Sequence, residues 1–251
     1  MVKRQQRKTP SPRSLVGAVA DLDTWRRLPR LRNAAAADYI EIRADAFPLL
    51  LDPSGPTSVQ TSVPLLLTVR RADEGGYAAS LSDGERASCY ARLLPQASLV
   101  DLEIRSLSSL RGTLRLARSA GVPLVASFHD FSRTPSRRRL QTLILRAEQA
   151  GAAVVKIATY TRSVADVATL AGLLERPVSQ VPLSLMGMGP LGAASRILLA
   201  QLGSVLNYGY LLRPNAPGQW SIALFRQILN ALPPLSPPEI PASPEAPAAK
   251  T

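Results

Sequence analysis

The chain has 251 residues, 46% of them apolar, and a formal net charge of +12. That length suits one large domain or two small ones. No apolar run reaches the roughly 18 to 20 residues of a membrane helix, and a single cysteine, Cys89, excludes an internal disulfide. The charge is unevenly spread: residues 1–13 carry +5 with no acid, residues 231–251 carry −1, and the body keeps +8. Aromatic residues make up 5% of the chain, which leaves little stacking surface for single strands. The arginines therefore read as a solvated basic surface, and nucleic acid is not an expected partner. The basic N-terminus lacks the apolar stretch of a secretory signal, and the cysteine usage fits a cytoplasmic protein.

Residues 1–13 read as a disordered basic arm, and the Pro/Ala-rich residues 233–251 as a disordered tail that cannot build a core. Between them, residues 14–232 repeat one unit: a short apolar run ending in polar residues, then a segment of helical period. Strands are expected at 15–20, 39–45, 64–70, 99–104, 124–128, 154–159, 181–185 and 205–211. The clearest helices fall at 83–94, 109–120, 136–150, 164–174, 193–202 and 219–232. A second helix around 49–60 is weak because it contains Pro53, Gly55 and Pro56. Eight strand–helix units imply parallel strands with crossover helices, and the closed form is a (β/α)8 TIM barrel in a single catalytic domain. An open doubly wound sheet is the rival architecture.

In a barrel of this kind the chemistry sits at the C-terminal ends of the strands. The second strand ends in Glu41, Arg43 and Asp45, the third in Arg70, and the fourth carries Asp101 and Glu103. The fifth ends at His129, the only histidine, in V-A-S-F-H-D-F. The sixth carries Lys156 in A-V-V-K-I-A, between β-branched residues. Burial disfavours the charged form of an amine, and the uncharged amine is a nucleophile towards carbonyls. A histidine beside it moves protons at neutral pH. The pair points to covalent imine chemistry.

Gly187-Met188-Gly189-Pro190-Leu191-Gly192 matches G-x-G-x-x-G after the seventh strand. A dinucleotide site also needs an acid about 20 residues later, and no Asp or Glu occurs between Glu175 and Glu239. The glycines read instead as an anion-binding approach to a helix N-terminus, with Arg196 on its first turn. One histidine and one cysteine do not make a metal ligand set. No G-x-S-x-G elbow supports a serine triad with Asp130 and His129.

Seven motifs, in order, resemble the type I 3-dehydroquinate dehydratase family. They are E-I-R-A-D (41–45), L-T-V-R-R-A-D-E-G-G (67–76), V-D-L-E (100–103), S-F-H-D-F (127–131), V-K-I-A (155–158), M-G-P-L-G-A-A-S-R (188–196) and A-P-G-Q (216–219). The resemblance implies cofactor-free dehydration of 3-dehydroquinate to 3-dehydroshikimate, a shikimate-pathway step. It implies a Schiff base on Lys156, His129 as general acid and base, and Glu74 as the acid that orients the histidine. Arg196 resembles the carboxylate-binding arginine, and Glu41, Arg43, Arg70, Asn215 and Gln219 the remaining substrate contacts. Asn215 stands where the family has serine, and V-G-A-V (16–19) lacks the family's first-strand serine. The expected partner is the small-molecule substrate, with a homodimer as a possible assembly. Another Schiff-base barrel enzyme, such as a class I aldolase, and a non-catalytic polyanion binder are the alternatives.

Overall fold

The computed structural model describes residues 10–216 and 218–233, so residues 1–9 of the expected arm and the tail from 234 lie outside the described residues. Pro10 is buried, and the Arg13 amide and guanidinium donate to the carbonyls of Ser204 and Leu232, both at 3.1 Å. Residues 10–13 are therefore part of the body, contrary to their place in the expected arm.

Eight parallel strands form one sheet: β1 Ser14–Val19, β2 Tyr39–Arg43, β3 Leu65–Thr68, β4 Leu99–Glu103, β5 Leu124–Asp130, β6 Val154–Tyr160, β7 Leu183–Met188 and β8 Leu206–Tyr210. Their spatial order is β7-β6-β5-β4-β3-β2-β1-β8. The barrel closes at a seam between β7 and β8. There the Val205 amide donates to the Leu183 carbonyl at 3.0 Å, and the Ser184 hydroxyl to the Leu206 carbonyl at 2.5 Å. The Ser204 hydroxyl accepts from the Leu185 amide at 3.0 Å. The TIM barrel expected from the eight units is the fold observed.

The helices are α1 Leu22–Arg27, α2 Pro48–Leu51, α3 Asp83–Leu93, α4 Arg111–Ser119, α5 Arg137–Gln149, α6 Val164–Glu175, α7 Gly192–Gln201 and α8 Ile222–Ala231. Side-chain caps start several of them. Ser82 and Glu85 form a reciprocal capping box on α3, as Ser163 and Asp166 do on α6. Ser221 caps α8, so that helix begins later than the expected 219. The second helix is a single turn, because Pro53 and Pro56 follow at once. Among the described residues no helix is long and apolar enough to cross a membrane.

Several strand ends differ from expectation: β2 and β3 stop two residues early, so Asp45 and Arg70 lie just past their strands, β5 runs two residues longer, and β7 departs most. β7 runs to Met188, three residues past the expected end, and takes in Gly187 and Met188. The first half of the glycine motif is therefore strand, not loop. A Cβ at Gly187 would lie 2.3 Å from Ser195 Oγ and 2.7 Å from Thr161 Oγ1, so this glycine lets α7 pack closely on β7. Arg196 accordingly falls on the second turn of α7 rather than the first.

Alternation along each strand sorts side chains between two cores. Leu15, Ile40, Ile42, Leu67, Leu102, Ile157 and Leu185 face the helices. Val16, Tyr39, Leu66, Leu99, Val125, Val154 and Leu206 form a separate inner cluster. Two residues further along, towards the C-terminal ends, the same inner faces carry Glu41, Thr68, Asp101, Ser127 and Lys156. The apolar plug thus gives way to a polar layer at one fixed depth.

Packing around two glycines gives opposite expectations. Gly187→Ala should lower stability by about 1–3 kcal/mol through overpacking. Gly112→Ala, on α4 where nothing lies within 4 Å of an added Cβ, should raise it by about 0.4–1 kcal/mol. Urea unfolding midpoints of the two variants check this; a Gly187→Ala protein as stable as the parent would refute the packing argument.

Candidate active site

A cavity of about 280 Å³ opens at the C-terminal end of the barrel. Every site residue singled out from the sequence lines it: Lys156, His129, Glu74, Glu41, Arg43, Arg70, Arg196, Asn215 and Gln219. Ala18, Tyr77, Phe131, Met186, Met188 and Tyr208 complete much of the wall.

Lys156 is 4% exposed. Its Nζ lies 3.1 Å from Asp101 Oδ2, 3.5 Å from Glu41 Oε1, and 4.0 Å from the centre of the Tyr208 ring. Asp101 Oδ1 accepts the Ser127 hydroxyl at 2.6 Å, and Glu41 Oε1 that of Thr68 at 2.9 Å. The amine is therefore held on the polar layer by two carboxylates and one aromatic face. Burial pushes the Asp101 carboxyl up, but Arg70 and then Lys156 hold it well below the usual carboxylate range.

His129 ends the inner face of β5. Its backbone amide donates to Glu74 Oε2 at 2.9 Å, and its Nδ1 lies 3.1 Å from the same oxygen. One carboxylate oxygen thus fixes both the main chain and the ring, leaving Nε2 as the nitrogen without that partner. Burial, with Arg70 and Lys156 nearby, depresses the imidazole pKa well below its ordinary 6.5. Burial also pushes Glu74 up to about 7, against the pull of Arg70. Arg105 Nε is 3.3 Å from Glu74 Oε1 but not aligned as a hydrogen bond, so it offsets little of that burial. Gly75, at φ +83°, turns the chain beneath Phe131, whose ring an added Cβ would meet at 2.6 Å.

Arg196 is 3% exposed and donates from Nη1 to the Tyr208 carbonyl at 3.1 Å, while its Nε has no partner. Burial alone lowers its pKa to about 10, because no carboxylate compensates it. Arg43 and Arg70 are different. Arg43 is clasped by Asp45 at 3.1 and 2.8 Å and by the Gly75 carbonyl at 2.7 Å. Arg70 is spent on Asp101, Glu103 and Ser127. Arg196 is thus the cavity arginine whose charge no protein acid balances.

The loop after β8 is braced from within. Gln219 Oε1 accepts the amides of Asn215 and Ala216 at 2.7 and 3.2 Å. Asn215 Nδ2 donates to the Ala18 carbonyl on β1 at 3.2 Å, so its amide spans the gap that a shorter serine would leave. Two residues in contact with Lys156 were not among the site candidates. Asp101 was visible as a strand-end acid, and the i, i+2 acids of V-D-L-E between apolar neighbours were the signal that both point inward. Tyr208 carried no such signal, since a tyrosine in a buried strand reads as core.

Among the described residues no group of three His, Cys, Asp or Glu is placed to hold a metal ion. The arrangement comprises a buried amine between acids, a neutral imidazole on a carboxylate, and an uncompensated guanidinium around one small cavity.

Known proteins match this chain over most of its length. A sequence model described as type I 3-dehydroquinase covers residues 22–235. A 3-dehydroquinate dehydratase from Methanocella arvoryzae is 34% identical over 191 residues, 74% of this chain and 83% of that protein. A catabolic 3-dehydroquinate dehydratase from Acinetobacter baylyi is 33% identical over 202 residues, 78% of this chain and 74% of that protein. The crystal structure of 3-dehydroquinate dehydratase from Geobacillus kaustophilus superposes with a TM-score of 0.77 at 28% identity, covering 88% of this chain and 90% of the other. With the motifs in order, the barrel observed and the match covering most of the chain, the chain belongs to the type I 3-dehydroquinase family.

Proposed function

We propose that the enzyme dehydrates 3-dehydroquinate to 3-dehydroshikimate through an imine on Lys156, with His129 moving the protons. The observation that carries this reading is that a buried amine and a buried arginine lacking an acid partner open onto the same small cavity. A substrate with a ketone and a carboxylate fits both. Arg196 takes the carboxylate through charge-assisted hydrogen bonds. Lys156 Nζ attacks the ring ketone carbon, and the carbonyl oxygen leaves as water. The protonated imine withdraws electrons, so the adjacent carbon loses a proton more readily. His129 removes that proton, and the departing hydroxyl leaves as water once protonated. A second water then releases the product and restores the amine.

The Glu74–His129 pair suits both proton steps. With Glu74 ionised, Nδ1–H donates to it and Nε2 is a base. With Glu74 protonated, the carboxyl donates to Nδ1 and Nε2–H is an acid. Glu74 titrates near 7, so both arrangements are reachable at neutral pH without forming imidazolium. Asp101 and Glu41 stabilise positive charge on the nitrogen, whether ammonium or iminium. Asn215 and Gln219 hold the loop that closes the carboxylate side.

Borohydride added with substrate or product should fix a secondary amine on Lys156, found by peptide mass spectrometry. Lys156→Arg keeps the charge, yet should abolish both adduct and turnover. The remaining lysines are Lys3, Lys8 and Lys250, and an adduct confined to them would defeat the Schiff-base reading.

The imidazole should be neutral at pH 7. Because burial and nearby cations depress its pKa below 6.5, falling pH should produce imidazolium only well below that value. NMR of the single histidine reads this directly; an imidazolium signal at pH 6.5 contradicts it. His129→Ala should cost on the order of 10² to 10⁴ in turnover.

Arg196→Ala should raise KM about 10- to 100-fold, the scale of a lost hydrogen bond to a charged group. Unchanged KM and kcat in a folded variant would remove Arg196 from substrate binding.

A further inference from the structure

Outside the cavity wall, one buried cation has no place in the mechanism above. Arg86 lies on α3, is 0% exposed, and does not line the cavity. A buried guanidinium costs several kcal/mol unless it is fully paired. This one is paired on every side: Nε donates to the Val69 carbonyl at 3.0 Å, and Nη1 to Asp83 Oδ1 at 2.8 Å and Ser106 Oγ at 3.1 Å. Nη2 donates to Glu103 Oε2.

That last contact opens a chain of alternating charge. Glu103 gives its other oxygen, Oε1, to Arg70 Nη1 at 3.1 Å and to the Arg71 amide at 3.1 Å. Arg70 Nη2 reaches Asp101 Oδ2 at 2.9 Å. The same Oδ2 accepts from Lys156 Nζ at 3.1 Å. Two sharings therefore lie in series. Glu103 is divided between Arg86 and Arg70, and Asp101 Oδ2 between Arg70 and Lys156. We propose that Arg86 is a positioning residue for Lys156: by occupying half of Glu103 it leaves Arg70 on Asp101, and so limits how tightly Asp101 holds the amine.

The signs follow from electrostatics. Without Arg86, Glu103 is an underpaired buried carboxylate, which draws Arg70 towards itself. Asp101 then turns to Lys156, and the ammonium form gains. Without the Glu103 charge, Arg70 goes wholly to Asp101, and the ammonium form loses. The other groups facing Lys156 are Glu41 on β2, His129 on β5 and Tyr208 on β8, with Arg43, Glu74 and Arg196 further around the cavity. Tyr90 and Arg71 flank the Arg86 end. Both substitutions leave all of these in place.

The inference rests on Lys156 being the reacting amine, and the experiment keeps the two questions apart. Labelling of Lys156 by methyl acetimidate, followed by mass spectrometry across pH, reads amine protonation with no substrate present. Arg86→Met should move the midpoint of that profile to higher pH. Glu103→Gln should move it to lower pH, and Arg86→Lys should lie between parent and Arg86→Met. Parallel borohydride trapping should shift with the same signs. General loosening of the site would move both variants alike. If Arg86→Met does not fold, Glu103→Gln decides alone: a midpoint unmoved or raised overturns the proposal. Acetimidate profiles that move as expected, with no borohydride adduct on Lys156 in the parent enzyme, would keep the electrostatic chain and overturn the imine.

Discussion

Arg70 ties together the open end of the barrel. Glu41, Asp101 and Glu103 project into one small volume from β2 and β4, all buried. Three carboxylates so placed repel one another and lose hydration. The Arg70 guanidinium answers both problems, bonding Asp101, Glu103 and Ser127, while its own amide is held by Asp45 Oδ1 at 3.0 Å. Contacts thus run from just past the end of β3 to groups on β4, on β5 and in the turn after β2. Such a network contributes little net stability relative to an apolar core, but removing one member strands a buried charge, at roughly 3–5 kcal/mol. The geometry around Lys156 is therefore rigid because its failure is expensive. Tyr90 helps from α3: its hydroxyl accepts the Val69 amide at 2.9 Å and donates to the Asp101 carbonyl at 2.6 Å, bridging the strand ends where Arg70 enters.

The cavity is also lopsided. Acids gather on β2, β4 and the turn carrying Glu74, whereas the chain from Glu175 to Glu239 has none in between. That acid-free stretch supplies β7, α7, β8 and the loop that carries Asn215 and Gln219. Arg196 stands in this half, with its charge unanswered and its neighbours apolar (Met186, Met188) or amide. An anion is admitted on one side only. On the function proposed above, a ligand bearing a single carboxylate would be oriented before any bond forms, with its far end towards the amine and the imidazole.

Much of this was legible from the residue order. Strand–helix alternation dictates the barrel, and the barrel dictates which end holds chemistry. The polar strand ends therefore named Glu41, Arg70, His129 and Lys156 as neighbours although they are far apart in sequence. What escaped did so for physical reasons. β7 runs longer than its apolar core because Gly187 is extended for the sake of helix packing, which a glycine in a motif does not announce. The turn at Pro48–Leu51 is short because Pro53 and Pro56 follow. Arg86 looked like one of many helix arginines, since nothing in D-G-E-R-A-S distinguishes an inward guanidinium from a solvated one. Tyr208 reads as core until the amine is seen above its ring. Contacts made across the barrel have no local period, and only the folded chain displays them.

The cations chosen for the outer wall carry a separate chemical meaning. Among the described residues Lys156 is the one lysine; every other basic side chain there is arginine or the single histidine. Guanidinium stays protonated at any physiological pH and does not condense with ketones or aldehydes under those conditions. The barrel can thus carry a large positive charge without adding a second carbonyl-reactive amine among the described residues. If the imine forms on Lys156 as proposed, stoichiometry and selectivity coincide among the described residues: one lysine is present, and the guanidinium groups around the barrel are chemically silent toward ketones.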